Sequence, residues 1–181
     1  FISQKIPLNY KSYQITETGV SPRLVPGQGP VARATSYEHN DFGHTTEDPV
    51  WVIKMNNKRL KKQKYLSREV KKLNPVSIFG KGKNLIVGWG STKGAIVDAL
   101  PKLKDFRFLQ ISYLKPFPKE EVLKEIRKSR KIILVENNAT GLLGQVIQEE
   151  ILFEIKNKIL RYDARPFTPE FLINQIKKYG N

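Results

Sequence analysis

From residue 84 onward the chain alternates between short apolar runs and amphipathic stretches. Leu85, Ile86 and Val87 form a run with the unbroken hydrophobicity of a strand buried on both faces. Gly88 and Gly90 allow a tight turn. Ser91 or Thr92 is placed to cap a helix over Thr92–Leu100, with Ala95, Ile96, Ala99 and Leu100 as its apolar positions and Pro101 as its stop. The pattern then repeats. A strand over Phe106–Tyr113 is followed by a helix with Val122, Leu123 and Ile126 inward. A strand over Lys131–Glu136 precedes a helix over Gly141–Phe153 that Thr140 is placed to cap. A strand over Lys158–Tyr162 leads to Thr168-Pro169-Glu170, a cap, a first-turn proline and an acid, which opens a last helix burying Phe171, Leu172 and Ile176. Four strands alternating with four helices imply an α/β fold, a three-layer αβα sandwich with a mostly parallel sheet.

Residues 1–50 carry turn chemistry instead: Gly19, Ser21-Pro22, Pro26-Gly27, Gly29-Pro30, Asn40-Asp41 and Gly43. They also hold Tyr10, Tyr13, Ile15, Val20, Leu24, Val25, Tyr37 and Phe42, side chains that favour burial. So long an irregular stretch reads as an interface arm, or the end of a preceding domain, packed on a surface outside this chain. Between Asp48 and Leu73 the spacing turns helical, with Asp48 as cap and Pro49 at the first position. Asn74 to Lys83, punctuated by Pro75, Gly80 and Gly82, reads as a linker. The expected division is an arm over 1–50, a basic helix and linker over 51–83, and an αβα domain over 84–181.

Charge sharpens the middle segment. The 181 residues carry a formal net charge of +15, and ten of those excess charges lie between Trp51 and Lys83. Such a stretch suits a solvated helix face, an acidic protein, a phosphorylated cofactor or nucleic acid. Only Tyr65 stands near the charges, whereas single-stranded RNA recognition wants interleaved aromatics. The absence of cysteine excludes disulfides, thiolate zinc, a cysteine nucleophile and cysteine-held clusters from this chain. With no apolar run of about 18 residues and no secretory leader, a cytoplasmic location is expected. A first residue Phe1 reads as a fragment or a processed product.

Candidate chemistry gathers at three places. The turn Gly88-Trp89-Gly90-Ser91-Thr92-Lys93-Gly94 lies where open α/β sheets collect ligands, but it fits neither dinucleotide-binding nor P-loop spacing. A structural glycine turn is the stronger reading for Gly90, Ser91 and Thr92. Glu136, Asn137 and Asn138 end a strand at the same sheet edge, where Glu136 is either an acid or base or part of a cap and turn. Glu38-His39-Asn40-Asp41 with His44, Glu47 and Asp48 is the only histidine and carboxylate cluster. Its spacing matches no standard metal motif, and a hydrogen-bonded interface loop fits it better. No serine, histidine and aspartate set for nucleophilic catalysis assembles from the rest.

Taken in order, these pieces resemble one family. Tyr13-Gln14-Ile15-Thr16, Gly19-Val20-Ser21-Pro22-Arg23, Pro26-Gly27, Glu38-His39-Asn40-Asp41-Phe42-Gly43 and then Lys58-Arg59 and Lys61 are similar to the end of the first domain of the alpha subunit of 2-oxoacid:ferredoxin oxidoreductases. Gly88-Trp89-Gly90-Ser91-Thr92, Leu114-Lys115-Pro116-Phe117-Pro118, Glu136-Asn137-Asn138, Gly141 and Arg161-Tyr162-Asp163 resemble its next domain, which is transketolase C-terminal-like. The resemblance implies oxidative decarboxylation of a 2-oxoacid, acyl transfer to coenzyme A and electron transfer to ferredoxin. It implies a complex using thiamine diphosphate, Mg and a [4Fe-4S] cluster on another subunit, with no cofactor bound by this segment alone. Tyr13-Gln14-Ile15-Thr16 is not followed by Pro-Ser-Ser, so the family's threonine-bearing motif is absent here. The implied partners are the upstream part of the alpha subunit, a beta subunit, ferredoxin and coenzyme A, without membrane. No catalytic residue is assigned. Glu17, Ser21, Arg23, Glu38 and His39 are expected to line the active-site approach or an interface. The alternative is a stand-alone basic module for nucleic acid or an acidic protein.

Overall fold

A computed structural model describes residues 9–25, 27–31 and 33–179; Pro26, read above as part of a turn, lies outside them. The chain divides into two compact units, 1–69 and 70–181, with the division in the last turn of the first helix.

In the first unit, irregular chain from residue 9 leads to helix α1 (Pro49–Lys72). Asp48 opens it, its Oδ1 accepting from Val50 N at 2.8 Å, and Pro49 supplies a first position that needs no N–H donor. A short hairpin precedes it. His39 and Thr45 pair across it, Thr46 N donates to Glu38 O at 2.9 Å and Asn40 N to His44 O at 2.9 Å.

The second unit is a five-stranded sheet in the order β1-β3-β2-β4-β5. Its strands are β1 (Val76–Gly80), β2 (Asn84–Gly88), β3 (Phe106–Ile111), β4 (Ile132–Glu136) and β5 (Asn157–Leu160). Strands β3, β2, β4 and β5 are parallel; β1 is an antiparallel edge on β3. Helices α2 (Thr92–Ala99) and α5 (Pro169–Lys177) cover one face, and α3 (Lys119–Arg127) and α4 (Leu142–Ile151) the other. The alternation of side chains along β2 explains its unbroken apolar run. Ile86 joins a core with Phe108, Ile133, Ile96 and Leu172, while Leu85 and Val87 join Leu109, Leu134, Val122 and Ile147 on the opposite face. The three-layer αβα architecture read from the sequence is the one observed.

Three local readings need correction. The stretch 74–83 holds strand β1, with Val76 opposite Ile111 and Gly80 opposite Arg107. Pro75, Gly80 and Gly82 flank only five residues, so breakers on both sides masked an edge strand. Neither Ser91 nor Thr92 caps α2: Ser91 makes no side-chain cap bond, and Thr92 Oγ1 donates back to Trp89 O at 2.8 Å. Nor does Thr140 cap α4, whose N-terminus is served by Glu136 and Asn138. Thr168 does cap α5 as expected, accepting from Phe171 N at 3.3 Å.

One cation sits inside the sheet unit. Arg107 on β3 is buried, and its guanidinium donates to Gly82 O, Glu125 O, Ser129 Oγ and Glu125 Oε2 at 2.8–3.3 Å. It ties the β1–β2 turn to the end of α3. Gly82 in that turn has no room for a side chain, since a Cβ there would fall 2.0 Å from the Asp105 carbonyl carbon.

Candidate functional site

Strand β2 is the pivot of the sheet. The chain leaves it for β3 on one side and returns to β4 on the other, and α2 and α4 leave on opposite faces. The loops after β2 and β4 therefore diverge, making the crevice in which such sheets bind ligands. Gly90, Ser91, Thr92, Glu136, Asn137 and Asn138 all come to this edge.

Glu136 is completely buried. Its Oε1 accepts from Trp89 Nε1, Asn138 Nδ2 and Leu143 N, each at 3.0 Å, and its Oε2 from Leu143 N at 3.0 Å and Gly144 N at 3.4 Å. The carboxylate thus lies on the first turn of α4, where backbone N–H groups lack helical partners and the helix dipole favours negative charge. Asn138 Oδ1 accepts from Gly141 N at 2.6 Å and Thr140 N at 3.1 Å, while Gly141 takes a left-handed φ of 71°. The polar groups at the centre of the crevice are spent on one another, and Glu136 has no lone pair aimed at solvent for acid–base work. Ser91 and Asn137 are exposed at its rim. Glu136 holds two loops and a helix start together.

The second candidate lies wholly within residues 9–69. Gly19 (φ 75°) brings the arm against α1 so closely that a Cβ would stand 2.6 Å from Lys58 O and Lys62 N. Only glycine allows that approach and that backbone. The arm is then fastened by polar bonds. Lys58 Nζ donates to Tyr13 O at 2.8 Å and to Ser21 Oγ, and Ser21 Oγ donates to Gln14 O at 3.0 Å. Arg59 grips Glu38 with both nitrogens, at 2.6 and 3.2 Å. The His39 ring is buried, stacked on Tyr13 at 4.7 Å between centroids, with Nε2 3.0 Å from Thr35 Oγ1.

A cavity of about 190 Å³ opens between arm and helix, lined among others by Ser21, Arg23, Met55, Lys58, Arg59 and Lys62. The guanidinium of Arg59 holds the Glu38 carboxyl below its usual value, and Glu38 raises Arg59 in return. Burial, and after it the charges of Lys62 and Arg59, lower the Lys58 ammonium.

Of the five arm residues read as lining an approach, Ser21 and Arg23 face this cavity and Glu38 reaches its wall through Arg59. His39 turns into the packing beneath Tyr13. Glu17 is exposed and makes no hydrogen bond among the described residues. Lys58 and Lys62 were missed as site residues. Their spacing carried the signal, because 55, 58, 59 and 62 share one helix face and the only buried hydrophobe of α1 before Val70 is Met55. No three histidine, aspartate or glutamate side chains come together as metal ligands among the described residues.

A three-layer αβα unit with a basic helix and a polar, glycine-fitted arm defines the class of module. No family model matches the chain. It is 36% identical over 181 aligned residues to 2-oxoacid:ferredoxin oxidoreductase 1, subunit alpha, of Sulfurisphaera tokodaii, covering 94% of this chain and 28% of that one. Identity to the subunit alpha of 2-oxoacid:ferredoxin oxidoreductase 2 of Aeropyrum pernix is 31%, over 95% of this chain and 28% of the other. Among solved structures, the 2-oxoglutarate:ferredoxin oxidoreductase of Magnetococcus marinus, with 2-oxoglutarate, coenzyme A and succinyl-CoA bound, superposes with a TM-score of 0.69. There the identity is 27%, covering 94% of this chain and 30% of that one. The chain is homologous over nearly its whole length to alpha subunits of 2-oxoacid:ferredoxin oxidoreductases, and it spans little more than a quarter of theirs.

Proposed function

We propose that this chain serves as the C-terminal part of the alpha subunit of a thiamine-dependent 2-oxoacid:ferredoxin oxidoreductase. In this reading the αβα unit is a structural and interface domain, and the arm lies beside the upstream domain that completes the active site. The carrying observation is a single collinear match that runs through both arm and αβα unit at 36% identity. The spent hydrogen bonding of the Glu136 crevice agrees with a structural role for the sheet. The reaction would be oxidative decarboxylation of a 2-oxoacid to an acyl-CoA, with electrons leaving to ferredoxin. Thiamine diphosphate, when bound by the rest of the complex, supplies the carbanion chemistry. From this chain come placement and charge: Arg23 is an exposed guanidinium suited to a carboxylate or phosphate, and α1 is a cationic surface suited to an acidic protein.

The test is co-purification. The chain expressed with its neighbouring subunits should be retained in a complex whose intact mass exceeds its own, and that complex should reduce ferredoxin with a 2-oxoacid and coenzyme A. The chain alone should be inactive. Failure to join any such complex would remove the reading. A second reading, a basic binding module, draws on the exposed Lys54, Lys61, Lys64 and Arg68 of α1. It requires salt-sensitive polynucleotide binding weakened by Lys61→Glu, and absence of binding at moderate salt would end it.

A further inference from the structure

The cavity in residues 9–69 gathers positive charge that its own walls leave unneutralised. Arg23, Lys58, Arg59 and Lys62 line it, and no carboxylate does. Arg59 is committed to Glu38. Lys62 and Arg23 make no ion pair among the described residues. Lys58 directs two of its three N–H groups to Tyr13 O and Ser21 Oγ, and the third has no acceptor among the described residues. Holding ammonium and guanidinium groups this close costs free energy that a bound anion would recover.

We propose that this cavity is a binding site for a small oxyanion, a phosphate or carboxylate group, held by Lys58, Lys62 and Arg23. The fit in size supports it. A cavity of about 190 Å³, where a single water needs roughly 10–15 Å³ in the same measure, has room for a phosphate or a short dicarboxylate with some hydration. Geometry supports it as well. Lys58 is fixed by its two hydrogen bonds, and Gly19 presses the arm onto the helix so that Ser21 and Arg23 are presented opposite Lys58 and Lys62. The site is thus formed before a ligand arrives. The proposal stands apart from the oxidoreductase reading, because it concerns a cavity that this chain forms by itself.

Met55 gives it a direct test. It is the only methionine in the chain, it is buried, and it lines the cavity. The chain labelled with ¹³C-methyl methionine therefore shows one resonance at the site. Inorganic phosphate, pyrophosphate and succinate should each be titrated against sodium chloride of equal ionic strength. A saturable shift of the Met55 methyl, half complete at roughly millimolar anion, is expected with phosphate or succinate but not with chloride. A stronger phosphate response would mark a phosphate-bearing ligand, and a stronger succinate response a carboxylate. Arg23→Gln and Lys62→Gln should each weaken binding about five- to tenfold, while Lys81→Gln, on the other unit, should leave it unchanged. The unliganded Met55 signal and the melting midpoint report whether each variant is folded. A shift no larger than that from chloride, or one that survives both Arg23→Gln and Lys62→Gln in folded protein, would overturn the proposal.

Discussion

The two units of this chain are held together by different physics. In residues 70–179 each face of the sheet has its own apolar core, and strand residues such as Ile86, Phe108, Leu109, Ile133 and Leu134 are wholly removed from water. In the described part of residues 9–69 only Met55 is a buried hydrophobic side chain. That unit relies on the Glu38–Arg59 pair, the hydrogen bonds of Lys58, the Tyr13–His39 stack and the tight fit of Gly19. It also exposes Ile15, Val25, Val31, Tyr37, Phe42, Val50, Ile53 and Leu60, eight of the fourteen large hydrophobics open to solvent among the described residues. Directional polar bonds can fix a shape without burying much area, but they contribute little net stability. The first unit is therefore shaped but weakly stabilised.

The chain has two tryptophans, Trp51 in the first unit and Trp89 in the second. The single-tryptophan variants Trp51→Phe and Trp89→Phe can therefore follow each unit separately in denaturant. Trp51 should report loss of structure at lower denaturant than Trp89. Coincident transitions would erase the contrast. The largest effect expected is from Phe108→Ala, which empties the middle of the sheet core and should cost about 4 kcal/mol, moving the Trp89 transition. Next, Gly82→Ala forces a Cβ to within 2.0 Å of backbone and should cost about 3 kcal/mol in the same signal.

Glu136→Gln comes third. The amide replaces one acceptor oxygen with a donor that faces the N–H groups of Leu143 and Gly144. The cost should be about 2 kcal/mol, with a change in Trp89 emission because its indole N–H loses a charged acceptor. If Glu136 were an acid–base group tuned for chemistry, its replacement would lower activity of the assembled complex and leave stability untouched. Loss of stability with the Trp89 change is the outcome the hydrogen bonds require.

The sheet was legible in the sequence because burial on two faces leaves a crude mark: Leu85-Ile86-Val87 and Ile132-Ile133-Leu134-Val135 need no side-chain geometry to be read. Edge strand β1 was not legible, since Ile78 is partly exposed and glycine and proline crowd both ends. Helix starts were read from residue type, which succeeded at Thr168 and failed at Thr140. At Thr140 the donors are served by Glu136 from the preceding strand and Asn138 from the turn, and no local pattern carries that. In the arm, Ser21 and Arg23 were singled out, but the cavity they line is completed by Lys58 and Lys62. Those two lie some forty residues on and look like ordinary members of a charged helix until Gly19 places the arm upon them.

The smallest effect expected is also the one that separates the units by pH. Glu38 is held below its ordinary value chiefly by its hydrogen bonds with Arg59. A carboxyl depressed in the folded state binds its proton less readily there than in the unfolded chain, so it stabilises the fold above the unfolded value and loses that contribution as pH falls through the folded one. Arg59 is about half exposed, so screening limits the pair to roughly 0.5 kcal/mol. Glu38→Gln should shift the Trp51 transition to slightly lower denaturant at pH 7. The difference from the parent should shrink as pH falls below about 4.5, the ordinary glutamate value, and should fade in high salt. The Trp89 transition should not respond to Glu38→Gln at any pH. A loss at pH 7 that persists unchanged in acid would mean that Glu38 acts through the shape of the hairpin, by way of the His39 N–H it also accepts from, and not through its charge.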